Sequence, residues 1–321
     1  MGIMTPMNAR RLVPVVCVAL LLPACTGPGN WFGLRRHEGN AVATVAASLF
    51  PLAEVASRVG GQHVKVLNLT PDGRDAHDVE LTAKQLDALS SAMLALYIGA
   101  DFQPTVASAI EQSEKPVKID VLEVVATQVV GATVARFGTE PVPTETDPHV
   151  WLDPANMVLI ARRVQRELSV LMPNLTAEFT ANADAYVSEL GSVGDLIDST
   201  LVRARCTNPE MVVSHDSFGY LAARAGLVTL PITGSNPDAQ VSAKRMESIV
   251  AAVRNGAGRY VVAESLVPTD VARTVARLAG VPVLTVNPLE GMTAADVKAG
   301  KDYPSVMREN IATIARAYGC R

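Results

Sequence analysis

The stretch EMVVSHDSFGYLAARAGLVTLPITG, residues 210–234, contains the repeating unit from which the fold can be inferred. Its apolar beginning, EMVVSH, predicts a buried strand, and SFGYLAARAG, which ends in glycine, predicts a helix. VTLPITG then predicts a second strand. A strand, a helix and another strand in direct succession are typical of a parallel sheet flanked by helices.

The same alternation extends over both halves of the chain. Towards the C-terminus the predicted elements are the helix 243–256, the strand 259–265, the helix 268–280, the strand 282–288 and the helix 303–319. In the N-terminal half they are the strand 41–50, the helix 51–61, the strand 63–69, the helix 82–92, the strand 93–99, the helix 103–113 and the strand 117–123. Strands separated by helices of this length indicate an α/β fold with two parallel sheets.

A segment of different character, residues 173–205, separates the two halves. Its apolar residues recur at roughly helical spacing: Leu175, Phe179, Tyr186, Leu190, Leu196 and Leu201. With Asn174 as N-cap this predicts one helix of about 45 Å. Gly191 and Gly194 each cost about 1 kcal/mol of helix stability and favour a kink. We therefore expect an N-terminal lobe of residues 41–172 and a C-terminal lobe of residues 206–321, joined by a long connecting helix.

The N-terminus has the three ordered regions of an export signal. Arg10 and Arg11 precede the apolar stretch LVPVVCVALLLPA, which is too short to span a bilayer comfortably. It ends at LPAC, which resembles the lipobox of a bacterial lipoprotein and predicts lipidation of Cys25. The alternative is an ordinary secretory signal with a chance cysteine. We assign residues 1–24 to a signal peptide and residues 25–40, which are rich in glycine, to a tether.

Charge and cysteine content narrow the class of protein further. The formal net charge of −4 argues against a nucleic-acid partner. No apolar run of 18 residues follows the N-terminal segment, so we expect a soluble body. Cys17 would leave with the signal peptide and Cys25 would carry lipid. In an exported protein the remaining pair, Cys206 and Cys320, predicts one disulfide; two free buried thiols are the alternative.

Three of the five histidines follow segments that read as strands or as loops after strands. His77, His149 and His215 lie in TPDGRDAHDVE, TDPHVWLDP and VVSHDSFGY, whereas His37 falls in the tether and His63 begins a strand. Ligands of open α/β sheets bind beyond the carboxyl ends of the strands, so three imidazoles could converge there on a metal such as zinc. The alternative is that each is a hydrogen-bonded surface histidine. Nearby carboxylates that could accept from the second ring nitrogen are Asp75, Asp78, Asp147 and Asp216.

These segments also carry a family resemblance, which runs from about residue 42 to residue 321. TPDGRDAHDVELTAKQLDAL (70–89), DPHVWLDPANM (147–157) and SHDSFGYLAARAGL (214–227) resemble, in the same order, three motifs of the solute-binding proteins that deliver zinc or manganese to ABC importers. The resemblance implies that His77, His149 and His215 are metal ligands. A histidine at the third position is typical of the zinc branch, whereas the manganese branch usually has a glutamate. The resemblance also fits pairing of Cys320 with Cys206.

The chain departs from the family pattern at the fourth ligand. The family usually has an aspartate in a Leu-Asp-Pro-Leu context, and this chain reads TVNPLEGM, with Asn287 in that place. An amide is a weak zinc donor, so we expect a carboxylate or a water nearby to offset the buried charge. Glu264, Glu290 and Asp216 are the candidates. Glu264 ranks first because it ends a strand, although it could instead hydrogen-bond behind a ligand. No histidine-rich loop precedes His149.

The resemblance implies an extracytoplasmic carrier, anchored by lipid to the outer face of a bacterial cytoplasmic membrane. It would bind Zn²⁺ between the lobes as a monomer and deliver it to a permease and its ATPase. Manganese or copper are alternative cargoes, and protons are expected to release the metal below about pH 6. An adhesin or structural lipoprotein that has lost metal binding is a second alternative. Three histidines with an open position also describe catalytic zinc, but no nucleophile motif accompanies them, so we do not expect an enzyme.

Overall fold

The fold was analysed in a computed structural model, which describes residues 1–2, 41–129, 145–208 and 210–321. Its described part contains two four-stranded sheets, and every strand pairing in them is parallel. Helices flank both sheets, and a long helix lies between them in the chain. The predicted two-lobed α/β fold is therefore confirmed.

The N-terminal sheet has the strand order β2-β1-β3-β4. Its strands are β1 (Ala43–Ala47), β2 (Val64–Asn68), β3 (Leu94–Tyr97) and β4 (Val117–Asp120). The helices between them are α1 (Phe50–Gly60), α2 (Ala83–Ser90) and α3 (Pro104–Gln112). Thr82 and Gln85 begin α2 with a reciprocal capping box, and a proline occupies the first turn of α3, where its missing N–H costs nothing.

Two further helices complete this half of the molecule. α4 (Pro154–Leu171) begins at Asp153, whose side chain accepts a hydrogen bond from the Ala155 N–H. It packs against α5 (Thr176–Ile197). α4 is not among the predicted helices, although its buried residues form a regular helical stripe: Met157, Ile160, Ala161, Val164 and Leu168.

The connecting helix differs in detail from the prediction. A 3-10 turn, Pro173–Leu175, precedes α5, so Asn174 lies in that turn and is not the N-cap. Gly191 and Gly194 do not break the helix, because α5 continues through both. Instead the helix widens to a π-helical segment at Asp198–Val202. A side chain at position 194 would meet the Arg224 guanidinium, so Gly194 allows this close packing between the connecting helix and the C-terminal lobe.

The C-terminal sheet repeats the topology of the first, with the order β6-β5-β7-β8. Its strands are β5 (Glu210–Val213), β6 (Val228–Pro231), β7 (Val261–Glu264) and β8 (Val283–Val286). Its helices are α6 (Gly219–Ala225), α7 (Ala243–Ala252), α8 (Asp270–Ala279), α9 (Ala294–Ala299) and α10 (Tyr303–Tyr318). The short helix α9 is also absent from the sequence prediction.

One large apolar core extends through both halves of the molecule. It includes residues of α1, α4, α5 and α10, together with strands of both sheets. In the structure Cys206 and Cys320 form a disulfide, which fastens the end of the chain beside the start of the C-terminal lobe. Within the described residues, none of the helices combines the length and apolar character that crossing a bilayer requires. Apart from residues 1–2, the predicted signal peptide lies outside the described residues, as do the tether and Cys25, and the lobe boundaries stay predictions.

Candidate metal centre

Four loops at the carboxyl ends of parallel strands bring the candidate ligands together. His77 lies on the loop between β2 and α2, and His215 directly follows β5. His149 precedes a 3-10 turn, Val150–Leu152, that leads into α4. Glu290 lies on the loop between β8 and α9. Loops that follow strands of both sheets thus bring these four residues together, as expected for open α/β sheets, whose ligands bind beyond the carboxyl ends of the strands.

The ligand atoms of these four residues lie within 4.8 Å of one another. The Nε2 atoms of His149 and His215 are 3.3 Å apart, and Glu290 Oε1 lies 3.3 Å from the first and 3.2 Å from the second. His77 Nε2 lies 3.6 Å from Glu290 Oε2, is buried, and makes no hydrogen bond within the described part of the chain. This nitrogen is thus left unpaired beside the other potential ligand atoms.

Carboxylates behind two of the imidazoles fix which ring nitrogen faces the centre. Asp147 Oδ1 accepts hydrogen bonds from the backbone N–H of His149, at 3.0 Å, and from its Nδ1, at 2.8 Å. Glu264 Oε2 pairs with Nδ1 of His215, and Ser217 Oγ donates to the other Glu264 oxygen at 2.8 Å. An Nδ1–H held by a carboxylate leaves Nε2 as the metal-binding atom and makes it more basic.

His77 is positioned by its own loop and by the segment after β3. Its backbone N–H donates to Asp75 Oδ1 at 2.8 Å. Gln103 Nε2 donates to the carbonyl of Ala76 at 2.9 Å, and the Phe102 ring lies edge-on to the imidazole, with centroids 4.6 Å apart. Phe102 and Gln103 are functional residues that the sequence analysis missed, although they too follow a strand at the carboxyl edge of the sheet.

Mutual charge keeps this buried group ionised. Burial alone would lower the pKa of His149, but its hydrogen bonds to Asp147 and Glu290 raise the pKa to about 9. Burial opposes the charged form of His215 too, yet the carboxylates of Glu264 and Glu290 hold its pKa well above the usual value. For Glu290, burial would raise the pKa, and the charges of His215 and His77 with the hydrogen bonds from His149 and His215 lower it well below the usual range.

Comparison with known proteins agrees with this geometry. Residues 45–317 match the sequence profile of ZnuA, the zinc-uptake complex component A, periplasmic. The chain belongs to this family. The zinc-binding protein AdcA of Streptococcus pyogenes serotype M1 is 28% identical over 285 residues, which are 84% of this chain and 55% of AdcA. The high-affinity zinc uptake system protein ZnuA of Bacillus subtilis is 23% identical over 306 residues, 92% of this chain and 94% of that protein.

Among solved structures, the Zn(II)-bound ZnuA-like domain of Streptococcus pneumoniae AdcA superposes with a TM-score of 0.70 at 26% identity, covering 86% of this chain and 98% of that domain. The chain thus spans about half the length of the AdcA relatives it matches, and corresponds to their ZnuA-like part. The ZnuA family is a family of binding components of transport systems rather than of enzymes.

The structure separates the candidates for the fourth ligand. Glu290 lies among the imidazoles, whereas Glu264, which the sequence analysis ranked first, has its carboxylate on the far nitrogen of His215. Asn287 is bonded to its own loop and to Asp296. Asp216 accepts from Thr229 Oγ1 at 2.8 Å. Of these four residues, only Glu290 belongs to the cluster of potential ligand atoms.

Proposed function

We propose that this protein is the extracytoplasmic Zn²⁺-binding component of an ABC importer, with His77, His149, His215 and Glu290 as the zinc ligands. The observation that supports it most is the convergence of three imidazoles and one carboxylate on a single buried point. Four nitrogen and oxygen donors match the tetrahedral coordination that zinc prefers. Zinc is bound by the AdcA domain with the similar fold, which adds support from an independent direction.

The choice of donors favours zinc over manganese. Imidazole nitrogens are borderline-soft ligands, whereas manganese prefers carboxylate, carbonyl and water oxygens. The surrounding charge also suits a dication, because the carboxylates of Glu290, Glu264 and Asp147 all lie against the imidazole cluster. These carboxylates offset the charge of the buried zinc ion. The neutral amide of Asn287, as a fourth ligand, would not offset it.

A carrier suits the site better than an enzyme does. Catalytic zinc sites usually have three protein ligands and keep one position open for water or substrate. Here a fourth protein side chain occupies that position, and His149 and His215 are fully buried. A closed set of four side chains favours binding and release of the ion over chemistry at the ion.

Delivery requires that the ion leave again, and the ligand set is divided so that this is possible. His77 and His149 belong to the predicted N-terminal lobe, and His215 and Glu290 to the C-terminal one. A change in the relative position of the lobes or of their loops would therefore break up the set of four ligands and lower the affinity for zinc. We propose that a permease and its ATPase receive the ion, and that lipid on Cys25 holds the monomeric protein at the outer face of the membrane.

Calorimetric titration of the chelator-stripped protein with Zn²⁺, with Mn²⁺ as competitor, tests the proposal. We expect one zinc per chain, no displacement by manganese, and a large loss of affinity in His77→Ala. His63→Ala is the matched control, because His63 pairs with Glu178 away from the cluster and should leave binding unchanged. Equal binding of manganese would favour a manganese carrier. The absence of binding would favour the adhesin or structural lipoprotein that has lost its metal.

A further inference from the structure

The loop that carries Glu290 is held at both of its ends and in its middle. At Asn287 the backbone N–H donates to Asn310 Oδ1 at 3.0 Å, and the Asn310 side-chain amide donates back to the Asn287 carbonyl at 2.6 Å. Trp151 Nε1 donates to the Pro288 carbonyl at 2.7 Å. The Gly73 N–H donates to the Met292 carbonyl at 2.8 Å. The loop is thus joined to α10 and to the segments that follow His149 and precede His77.

Inside this frame the chain turns sharply just before Glu290. Leu289 is fully buried and has a φ of 64°, in the left-handed region that residues with a side chain rarely adopt. Its N–H donates to Asn287 Oδ1 at 2.8 Å, which closes an Asx turn. That hydrogen bond satisfies a buried donor in the conformation from which Glu290 reaches the imidazoles. Without it, a buried N–H would be left unpaired and the turn would lose its restraint.

The other end of the Asn287 amide is also engaged. Nδ2 donates to Asp296 Oδ2 at 3.2 Å, and that same oxygen accepts from Thr293 Oγ1 at 2.6 Å. Lys301 Nζ lies 3.0 Å from the other oxygen of Asp296. Burial would raise the pKa of Asp296, but the hydrogen bonds from Thr293 and Lys301 lower it below its usual value, so this carboxylate is ionised. The side chain at position 287 therefore faces an acceptor, the Asp296 carboxylate, on one side and a donor, the Leu289 N–H, on the other.

Resting on the proposed zinc-binding function, we propose that Asn287 is a positioning residue that holds the Glu290 carboxylate in place for zinc, and is not itself a ligand. An amide is suited to this position because it offers an acceptor to Leu289 and a donor to Asp296 at once. An aspartate there would keep the acceptor but would place a second charge about 3 Å from the Asp296 carboxylate. Asn287, at the position where the family usually has an aspartate ligand, thus supports Glu290, which supplies the carboxylate ligand three residues later.

A double-mutant cycle on zinc affinity tests this assignment. Asn287→Ala is expected to weaken zinc binding by about 10- to 100-fold, as loss of a residue that orients a ligand commonly does. In a Glu290→Ala background the same change should alter affinity by less than about 3-fold, because the ligand it acts through is gone. Asn236→Ala is the matched control: Asn236 closes the same kind of turn, with the Asp238 N–H 2.8 Å from its Oδ1, in an exposed loop.

A second pair of variants separates positioning from general damage to the fold. Asn287→Asp should weaken zinc binding, and adding Asp296→Asn should restore it, because the exchange again places one amide opposite one carboxylate. Three results would overturn the assignment: unchanged affinity in Asn287→Ala, an equal loss with and without Glu290, or stronger binding in Asn287→Asp that survives Glu290→Ala. If the unaltered protein binds no zinc, the proposed function fails first, and the assignment falls with it.

Discussion

Loading of the site with zinc is expected to expel about two protons per ion near neutral pH. In the metal-free protein the pKa of His149 is raised to about 9 and that of His215 lies well above its usual value, so both rings carry a second proton. Zinc needs the free lone pair of each Nε2 and must displace both protons. In the metal-free protein the two imidazolium charges therefore balance the buried carboxylates. In the zinc-bound protein the charge of the ion balances them instead.

The size of the effect follows from linkage. Each proton displaced by zinc changes the apparent affinity by about 10-fold per pH unit, or about 1.4 kcal/mol. With two protons, zinc affinity should rise by about 100-fold for each unit between about pH 6 and pH 8. With unperturbed histidines, the zinc affinity would depend on pH only near and below about pH 6. The carboxylates beside His149 and His215 thus extend this pH dependence to higher pH.

Calorimetric titrations with zinc in buffers of different ionisation enthalpy measure the protons released directly. Glu264→Gln provides an internal check, because removal of the carboxylate from Nδ1 of His215 lowers the pKa of that ring. Proton release should then fall from about two towards one per zinc. Zinc binding without proton release, an affinity that stays constant from about pH 6 to pH 8, or full release in Glu264→Gln would each refute the reasoning.

Three further predictions concern stability. Burial raises the pKa of Glu54 to about 8, so the folded state keeps a proton that the unfolded state loses, and stability falls as pH rises from 4.5 to 8. The free energy of unfolding, measured with urea, should fall by about 5 kcal/mol across this range in the unaltered protein, and Glu54→Gln should remove this decrease. The same pH profile in both proteins would contradict the prediction. Cys320→Ser opens a 114-residue loop and should lower the free energy of unfolding by about 4 kcal/mol with zinc stoichiometry unchanged. Arg224 lies 2.8 Å from Asp153 and 2.9 Å from Asp198, and so links the C-terminal lobe to α4 and to the connecting helix. Arg224→Ala should lower the free energy of unfolding by about 1–2 kcal/mol, and an unchanged unfolding midpoint would exclude a stabilising bridge.

The fold can be predicted from the sequence because buried parallel strands are short apolar runs, and several of the helices between them, α1, α6 and α8, end at glycines. The same pattern explains why His77, His149 and His215 could be grouped: each lies at or after the end of a segment that reads as a strand, or in a loop after one, and ligands of open α/β sheets bind beyond the carboxyl ends of the strands. α4 could also have been found, since Met157 and Ile160 begin a regular apolar stripe.

The fourth ligand could not be read from the sequence, because it depends on the path of one loop. Glu264 ends a strand as predicted, but its side chain approaches His215 from behind. Glu290 reaches the cluster only because Leu289 adopts a left-handed conformation that Asn287 supports. Neither a φ angle nor the approach direction of a side chain is encoded in residue spacing. For the same reason Asn174, a good N-cap by residue type, lies in the turn before α5.

X-ray absorption spectroscopy of the zinc-loaded protein tests the central claim most directly. The account predicts a four-coordinate zinc with about three imidazole nitrogens and one carboxylate oxygen, all at about 2.0–2.1 Å. In Glu290→Ala the oxygen should be replaced by water or lost, while the imidazole signal stays. A zinc with fewer than three imidazoles, or a Glu290→Ala variant that binds zinc as tightly as the unaltered protein, would contradict the assignment of His77, His149, His215 and Glu290 as the ligands.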